Sequence, residues 1–186
     1  DSYSVAAHKL GGIRGCAAFL LREGCVEPKA QFVGGGHEGG LRSGTENTMG
    51  IAAFAAAAKV RRQWMTEDPD FLACRRRQLL TTLQKIVPGL VVLGPEEDSE
   101  QLGAVLSVAI PGIRAETFLH RLEAEGVLVG SGSACHAHGH TESPVLMAIS
   151  LPEKLRNSVL RLSLCGNESE SDLERTAKAI EGCLML

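Results

Sequence analysis

The second half of the chain alternates between short apolar segments and amphipathic ones, and this alternation restricts the fold more than any other feature. The apolar segments predict strands over 89–95, 104–112, 127–130 and 158–164. Helices are predicted over 115–126, which ends at a glycine, and over 169–184, which begins in a Ser/Asp-rich turn. Strands that alternate with helices predict an α/β or α+β lobe.

The first half contains fewer strand-like segments and a long helical region. Its opening, "DSYSVAA", predicts a strand that runs into a loop, and the apolar run 15–21 predicts a buried strand. Helices are predicted over 51–63 and 71–86, separated by "TEDPD" at 66–70. A helical region of this length can connect two lobes.

Charge and composition exclude several classes of function. The formal charge of −3 over 186 residues argues against binding to nucleic acid or to a membrane surface, and no apolar run is long enough to cross a bilayer. The basic run Arg75–Arg77 is expected on a solvated helix face. Six cysteines without regular pairing favour a reducing compartment, the cytoplasm or a mitochondrial matrix. A chain that opens on Asp1 inside a strand is expected to be a fragment, a processed product or half of a split enzyme.

The segment "AAHKLGG" at 6–12 places a lysine in a glycine-flanked loop directly after a strand. Lys9 is either an ordinary surface lysine or a Schiff-base lysine whose amine bonds a carbonyl carbon. Its neighbour His8 is either a phosphate or cofactor donor or merely a polar residue. The spacing alone leaves both interpretations open.

The segment "GGGHEGGLRSGTEN" at 34–47 is rich in glycine and polar residues. Glycines allow backbone N–H groups to face an anion, and Ser43 and Thr45 add hydroxyl donors, so a phosphate group would suit this loop. An ordinary tight loop is the alternative. The segment lacks the lysine-serine ending of a P-loop and the spacing of a dinucleotide-binding loop, which disfavours nucleotide binding.

Two further features are candidates for chemistry. Cys135 lies among small residues in "GSACHAHGH" (132–140), as an exposed nucleophilic thiol would. The three histidines that follow at alternate positions disfavour a zinc site, because ligands at every second residue rarely close a tetrahedron, so no metal is predicted. Arg161 lies inside the apolar strand 158–164 and must either point outward or bind a carboxylate bidentately.

Taken in order, "AAHKLGGIRG", "GGGHEGGLRSGTEN", "GSACH" and "VLRLSLC" resemble the cysteine desulfurase (NifS-like) family. The resemblance implies the C-terminal part of a fold type I pyridoxal-phosphate enzyme of the aminotransferase class V, normally a homodimer. It divides the chain into the end of the large cofactor domain (1–60), a helical linker (61–74) and a small α/β domain with the cysteine loop (75–186). Such enzymes take sulfur from L-cysteine, release L-alanine, and pass the sulfur to iron–sulfur scaffold or sulfur-carrier proteins.

The resemblance also implies a role for five residues. Lys9 matches the lysine that holds pyridoxal phosphate and moves protons, and His8 matches a histidine that contacts its phosphate. Thr45 matches a threonine that reaches the phosphate of the other subunit's cofactor. Cys135 matches the persulfide cysteine, and Arg161 matches the arginine that binds the substrate carboxylate.

The sequence departs from the family pattern in three ways that leave alternatives open. The family carries a long N-terminal part before this region, a serine where this chain has Ala6, and a proline-containing loop where it has "GGIRG" at 11–15. The segment 134–146 also resembles selenocysteine lyases, which release selenium from L-selenocysteine. The remaining alternatives are a non-catalytic fragment that needs a separate N-terminal half, and a metal-binding module.

Overall fold

The computed structural model describes residues 1–26, 28–95, 102–131 and 143–185. These residues form two compact units, Asp1–Pro69 and Asp70–Leu186. The division lies between helix α1 (Thr48–Glu67) and helix α2 (Phe71–Ile86), at the only proline of that stretch. Because proline disfavours a helical conformation in the preceding residue, Asp68 is extended (φ −145°, ψ 81°) and α1 ends there.

The N-terminal unit contains an antiparallel ribbon of β1 (Ser2–Ala6) and β2 (Ala17–Leu21), together with α1. The prediction of a buried strand at 15–21 is correct for the strand and wrong for its burial, since Phe19 and Leu20 are 55% and 49% exposed. An apolar run is buried only where another layer covers it, and among the described residues of this unit no third strand joins the ribbon.

The C-terminal unit is a four-stranded sheet with helices. Its strands are β3 (Val91–Leu93), β4 (Val105–Ala109), β5 (Gly130–Ser131) and β6 (Val159–Ser163). The strand order is β3-β4-β6-β5, and every neighbouring pair is antiparallel. Its further helices are α3 (Ala115–Ala124), α4 (Pro144–Ala148), α5 (Glu153–Arg156) and α6 (Glu170–Leu184). The mixed α/β fold expected from the alternating pattern is therefore present.

The two faces of this sheet are covered differently. Alternate residues of β4 and β6 face a large apolar core formed with α2, α3 and α6, in which Leu83, Phe118, Leu160 and Ile180 are fully or almost fully buried. On the opposite face a smaller cluster joins Val159 and Ala109 to residues of the segment 144–155. This second cluster covers only part of its face and leaves Arg161 exposed.

The basic run Arg75–Arg77 differs from its predicted solvated face. Arg76 is 1% exposed and lies on the same side of α2 as the buried Leu79 and Leu83. Successive helical residues are about 100° apart, so three consecutive arginines cannot share one face. Burial and the neighbouring Arg77 both lower the pKa of the Arg76 guanidinium.

Across the described residues, no helix has the combination of length and apolar character needed to cross a membrane.

Candidate functional site

Lys9 lies in a single 3-10 turn, Ala7–Leu10, that directly follows β1. Ala7 fixes this turn, because it is fully buried and its N–H donates to the Cys16 carbonyl at 3.0 Å. Gly11 ends the turn in the left-handed region (φ 91°), and Gly12 donates to the Ala7 carbonyl at 2.9 Å. The sequence "AAHKLGG" therefore forms a tightly closed turn that displays its lysine.

The two polar side chains of this turn are both exposed. Neither Lys9 nor His8 makes a hydrogen bond or an ion pair with the part of the chain that the structure describes. The turn itself packs against α1. The lysine amine and the imidazole are thus available to an external group, and the backbone beneath them is held by the ribbon and the helix.

The glycine-rich loop 34–47 is closed at its base by close backbone approach. Ser43 donates to the Phe32 carbonyl at 3.4 Å, and a Cβ added at Gly34 would lie 2.8 Å from the Ser43 Cβ. Three successive residues, 38–40, adopt positive φ angles, which glycine permits at two of them. Local geometry therefore accounts for these glycines. It does so equally for a phosphate-binding loop and for an ordinary tight loop.

An imidazole–carboxylate contact spans this loop. His37 Nδ1 lies 2.8 Å from both Glu46 carboxylate oxygens, and this hydrogen bond lowers the pKa of the Glu46 carboxyl. Next in sequence, the Asn47 side chain accepts a hydrogen bond from Gly50 N–H at 3.0 Å and caps α1. Thr45 is exposed and immediately precedes these two residues in the sequence.

Arg161 lies on β6 and points away from the apolar core. Its partners across the sheet are Ser107 on β4 and Gly130 on β5, and all three lie on the same face. Within the described ranges, the guanidinium forms no ion pair and no hydrogen bond, and it is exposed. Arg161 therefore faces outward, and since every donor of its guanidinium remains available to a ligand, its binding of a carboxylate stays a prediction.

Cys135 and the histidines 136, 138 and 140 lie outside the described residues. Strand β5, whose Gly130 pairs with Arg161, ends at Ser131, four residues before Cys135 in the sequence. Among the described residues, no group of three potential metal-ligating side chains is present. Sequence reasoning did not single out Gly130, because its pairing with Arg161 follows from a strand register that one sequence does not reveal.

The described site residues are distributed over both units. Lys9, His8 and Thr45 belong to the N-terminal unit, whereas Arg161 belongs to the C-terminal unit. The N-terminal residues combine an unengaged amine with imidazole and hydroxyl donors, a set suited to a carbonyl compound that carries a phosphate. The C-terminal residue is a cation suited to a carboxylate.

One protein-family model matches residues of both units. The aminotransferase class-V model matches residues 1–176, which is nearly the whole chain. The chain belongs to the aminotransferase class-V family.

Within that family, the chain is similar to cysteine desulfurases. It is 33% identical over 174 residues to the cysteine desulfurase IscS of Clostridium botulinum, a match that covers 94% of this chain and 44% of the relative. It is 32% identical to a cysteine desulfurase of Sinorhizobium fredii, with 97% of this chain and 46% of the relative covered. The chain thus spans less than half the length of these relatives.

Solved structures give the same result for the fold. A NifS-like protein from Rickettsia africae matches all of this chain and 48% of its own, with a TM-score of 0.86 and 26% identity. A second NifS-like protein matches all of this chain and 46% of its own, with a TM-score of 0.85 and 29% identity. The predicted fold class, a part of the class-V aminotransferase fold, is confirmed.

Proposed function

We propose that this chain is the C-terminal part of a pyridoxal-phosphate-dependent cysteine desulfurase. In the proposed reaction the C–S bond of L-cysteine breaks and the Cys135 thiol gains the sulfur. A thiol and L-cysteine give a persulfide and L-alanine, so atoms and electrons balance without an external oxidant. The similarity to cysteine desulfurases along nearly the whole chain supports this assignment.

The observation that carries the proposal is the state of Arg161. An exposed guanidinium with no protein partner in the described chain, flanked by a serine and a glycine, suits the carboxylate of an amino acid. The adjacent strand β5 leads within a few residues to Cys135. We therefore propose that one edge of the sheet, at β5, serves both the substrate carboxylate and the thiol that accepts sulfur.

Members of this family use pyridoxal phosphate, and the residues of the N-terminal unit fit that group. When bound, the cofactor withdraws electrons from the substrate carbon attached to the amino group. Lys9 would hold the cofactor through its unengaged amine, and the same amine would carry a proton to or from the substrate. His8 and Thr45 would donate hydrogen bonds to the phosphate.

The remaining steps depend on Cys135 and on partners. A thiol that first accepts sulfur and then delivers it must reach two different sites, which suits a segment of small residues such as 131–135. We infer that the receiving partner is an iron–sulfur scaffold or a sulfur-carrier protein. We also infer a homodimer, in which Thr45 serves the cofactor of the other subunit.

Borohydride reduction followed by intact-mass measurement tests the role of Lys9. Pyridoxal phosphate bound through an amine becomes a stable adduct on reduction, and the mass gain should lie on the peptide that contains Lys9. Lys9→Ala should remove the adduct, whereas Lys59→Ala, at an exposed lysine of α1, should leave it unchanged. An adduct that persists in Lys9→Ala would contradict the assignment.

Sulfide release and alanine formation test the role of Cys135. With L-cysteine as substrate, Cys135→Ser should abolish sulfur transfer, and Cys74→Ser, at an exposed cysteine of α2, should not. Two results together would favour the selenocysteine lyase alternative. Cys135→Ser would still form alanine from L-selenocysteine, and the unaltered chain would turn over little L-cysteine.

The exposed ribbon of the N-terminal unit favours a second candidate, a half-enzyme that acts only with a complementary N-terminal polypeptide. Tyr3 is 71% exposed and Phe19 is 55% exposed, although both lie on paired strands. A partner segment that covers them would bury aromatic area of the kind that favours association. Desulfurase activity of the purified 186-residue chain alone would refute this candidate. Activity that appears only after an N-terminal half is added would establish it.

A further inference from the structure

We propose that Gly130 is a positioning residue, which leaves the space in which the Arg161 guanidinium lies across strand β5. This inference rests on the proposed function, because it concerns how Arg161 is presented to the carboxylate of an amino-acid substrate. No part of the argument requires Gly130 to contact the substrate.

Strand register brings the two residues together. Gly130 is the direct antiparallel partner of Arg161, so their side-chain positions lie on the same face of the sheet. A Cβ built on Gly130 would lie 3.3 Å from Arg161 Nη2, 3.5 Å from Nε and 3.6 Å from Cζ. All three of the nearest atoms belong to the guanidinium group, so the charged end of Arg161 lies directly against the position of an added Cβ, and its Nη2 would have to shift by a few tenths of an ångström.

Backbone conformation does not explain the glycine. Gly126, at the end of α3, has a φ of +74° and so occupies a region that favours glycine, whereas Gly130 lies outside the positive-φ region. Any residue could adopt the backbone of Gly130. What glycine provides at this position is the absence of a side chain beneath the guanidinium.

A side chain added at Gly130 would move the Arg161 guanidinium and leave the fold in place. The end of an arginine side chain is flexible, so an added methyl group would displace the guanidinium while the strand stays paired. On the other side of Arg161 the cross-strand neighbour is Ser107, which is also small. Both cross-strand neighbours of Arg161 are therefore small, and because its guanidinium lies beside Gly130, a change at Gly130 alters where it meets a carboxylate.

The experiment uses the 186-residue chain labelled with ¹⁵N-arginine and titrated with L-alanine, a redox-inert amino acid that carries the same carboxylate. The Nε–H resonance of Arg161, identified by its loss in Arg161→Ala, should shift during the titration. Gly130→Ala should move this resonance before any ligand is added and should weaken L-alanine binding about three- to tenfold, and Gly130→Val should weaken it more. Gly182→Ala is the matched control, because that glycine lies in α6 with no positive φ and nothing within 4 Å of an added Cβ.

A double-mutant comparison separates positioning from other causes. If Gly130 acts through Arg161, Gly130→Ala should have no further effect on L-alanine binding in an Arg161→Ala background. An equal loss in both backgrounds would overturn the inference, as would unchanged binding in Gly130→Ala and Gly130→Val. If Arg161→Ala itself leaves binding unchanged, or no shift occurs in the unaltered chain, the proposed role of Arg161 fails and the inference fails with it. If Arg161→Ala weakens L-alanine binding but neither Gly130 substitution does, only the role of Gly130 is refuted.

Discussion

Truncation to alanine should lower the free energy of unfolding strongly at Leu160 and hardly at all at its neighbour Arg161, because β6 directs the two side chains to opposite faces of the sheet. Leu160 is fully buried in the core formed with α2, α3 and α6, whereas Arg161 is exposed. Leu160→Ala removes buried apolar atoms and leaves a cavity, which costs about 2–5 kcal/mol. Arg161→Ala removes an exposed side chain and should change the free energy of unfolding by less than about 0.5 kcal/mol.

Urea denaturation converts these energies into measurable midpoints. With a slope of about 1.5 kcal/mol per molar, a loss of about 3 kcal/mol lowers the midpoint by about 2 M, and a change of 0.5 kcal/mol by about 0.3 M. Far-UV circular dichroism is the suitable signal, because the single tryptophan, Trp64, lies in the N-terminal unit, whereas both substitutions lie in the C-terminal unit.

Leu128→Ala provides the matched control, since this leucine is 82% exposed and precedes β5 in the same unit. It should leave the midpoint within the range expected for Arg161→Ala. A midpoint loss for Arg161→Ala as large as that for Leu160→Ala would refute the assignment of faces. So would a loss below about 1 kcal/mol for Leu160→Ala, because the cavity argument would then not hold.

Three further outcomes are expected. Ser169→Ala removes the capping box of α6 and should lower the free energy of unfolding by about 1 kcal/mol, measured by urea denaturation. The His37 hydrogen bond lowers the pKa of the Glu46 carboxyl in the folded chain. Its stabilising effect is therefore fully present above the pKa of Glu46 in the unfolded chain, and it is lost as the pH falls through the pKa of the folded chain. His37→Ala should raise the pKa of Glu46 in an NMR titration. Burial raises the pKa of the Cys183 thiol, so iodoacetamide followed by peptide mass analysis should modify Cys183 much more slowly than the exposed Cys74.

Local signals in the sequence were sufficient for the four longest helices of the described residues, α1, α2, α3 and α6. Proline at position 69 and the polar residues around it predicted the break that separates α1 from α2, and α2 occupies the predicted range 71–86. The start of α6 was equally predictable, because Ser169 and Asp172 form a capping box in four successive residues. These features depend only on residues close in sequence.

Features that depend on distant residues were not predictable in the same way. The apolar run 15–21 predicted burial, but whether a strand is covered depends on a layer supplied from elsewhere. The short helices α4 and α5 were missed, since four or five residues carry too little periodicity to detect. The pairing of Gly130 with Arg161 joins residues 31 positions apart in sequence and follows from the register of β5 on β6.

The candidate site shows the same contrast. Its residues were singled out by chemical type and motif, and the structure adds what type does not show: Lys9 and Arg161 are exposed, and both lack protein partners in the described part of the chain. A single sequence indicates that an arginine within an apolar strand must face outward or be paired, but only the strand register shows which face of the sheet carries Arg161.

The alternation of β6 also protects the chain against a specific folding error. A strand that slips by one residue turns every side chain to the opposite face of its sheet. For β6, such a slip would place the Arg161 charge in the apolar core and expose Leu160 and Leu162, which the correct register buries. The charge of Arg161 therefore disfavours this misregistered form of the sheet, in addition to the role that we propose for it in binding substrate.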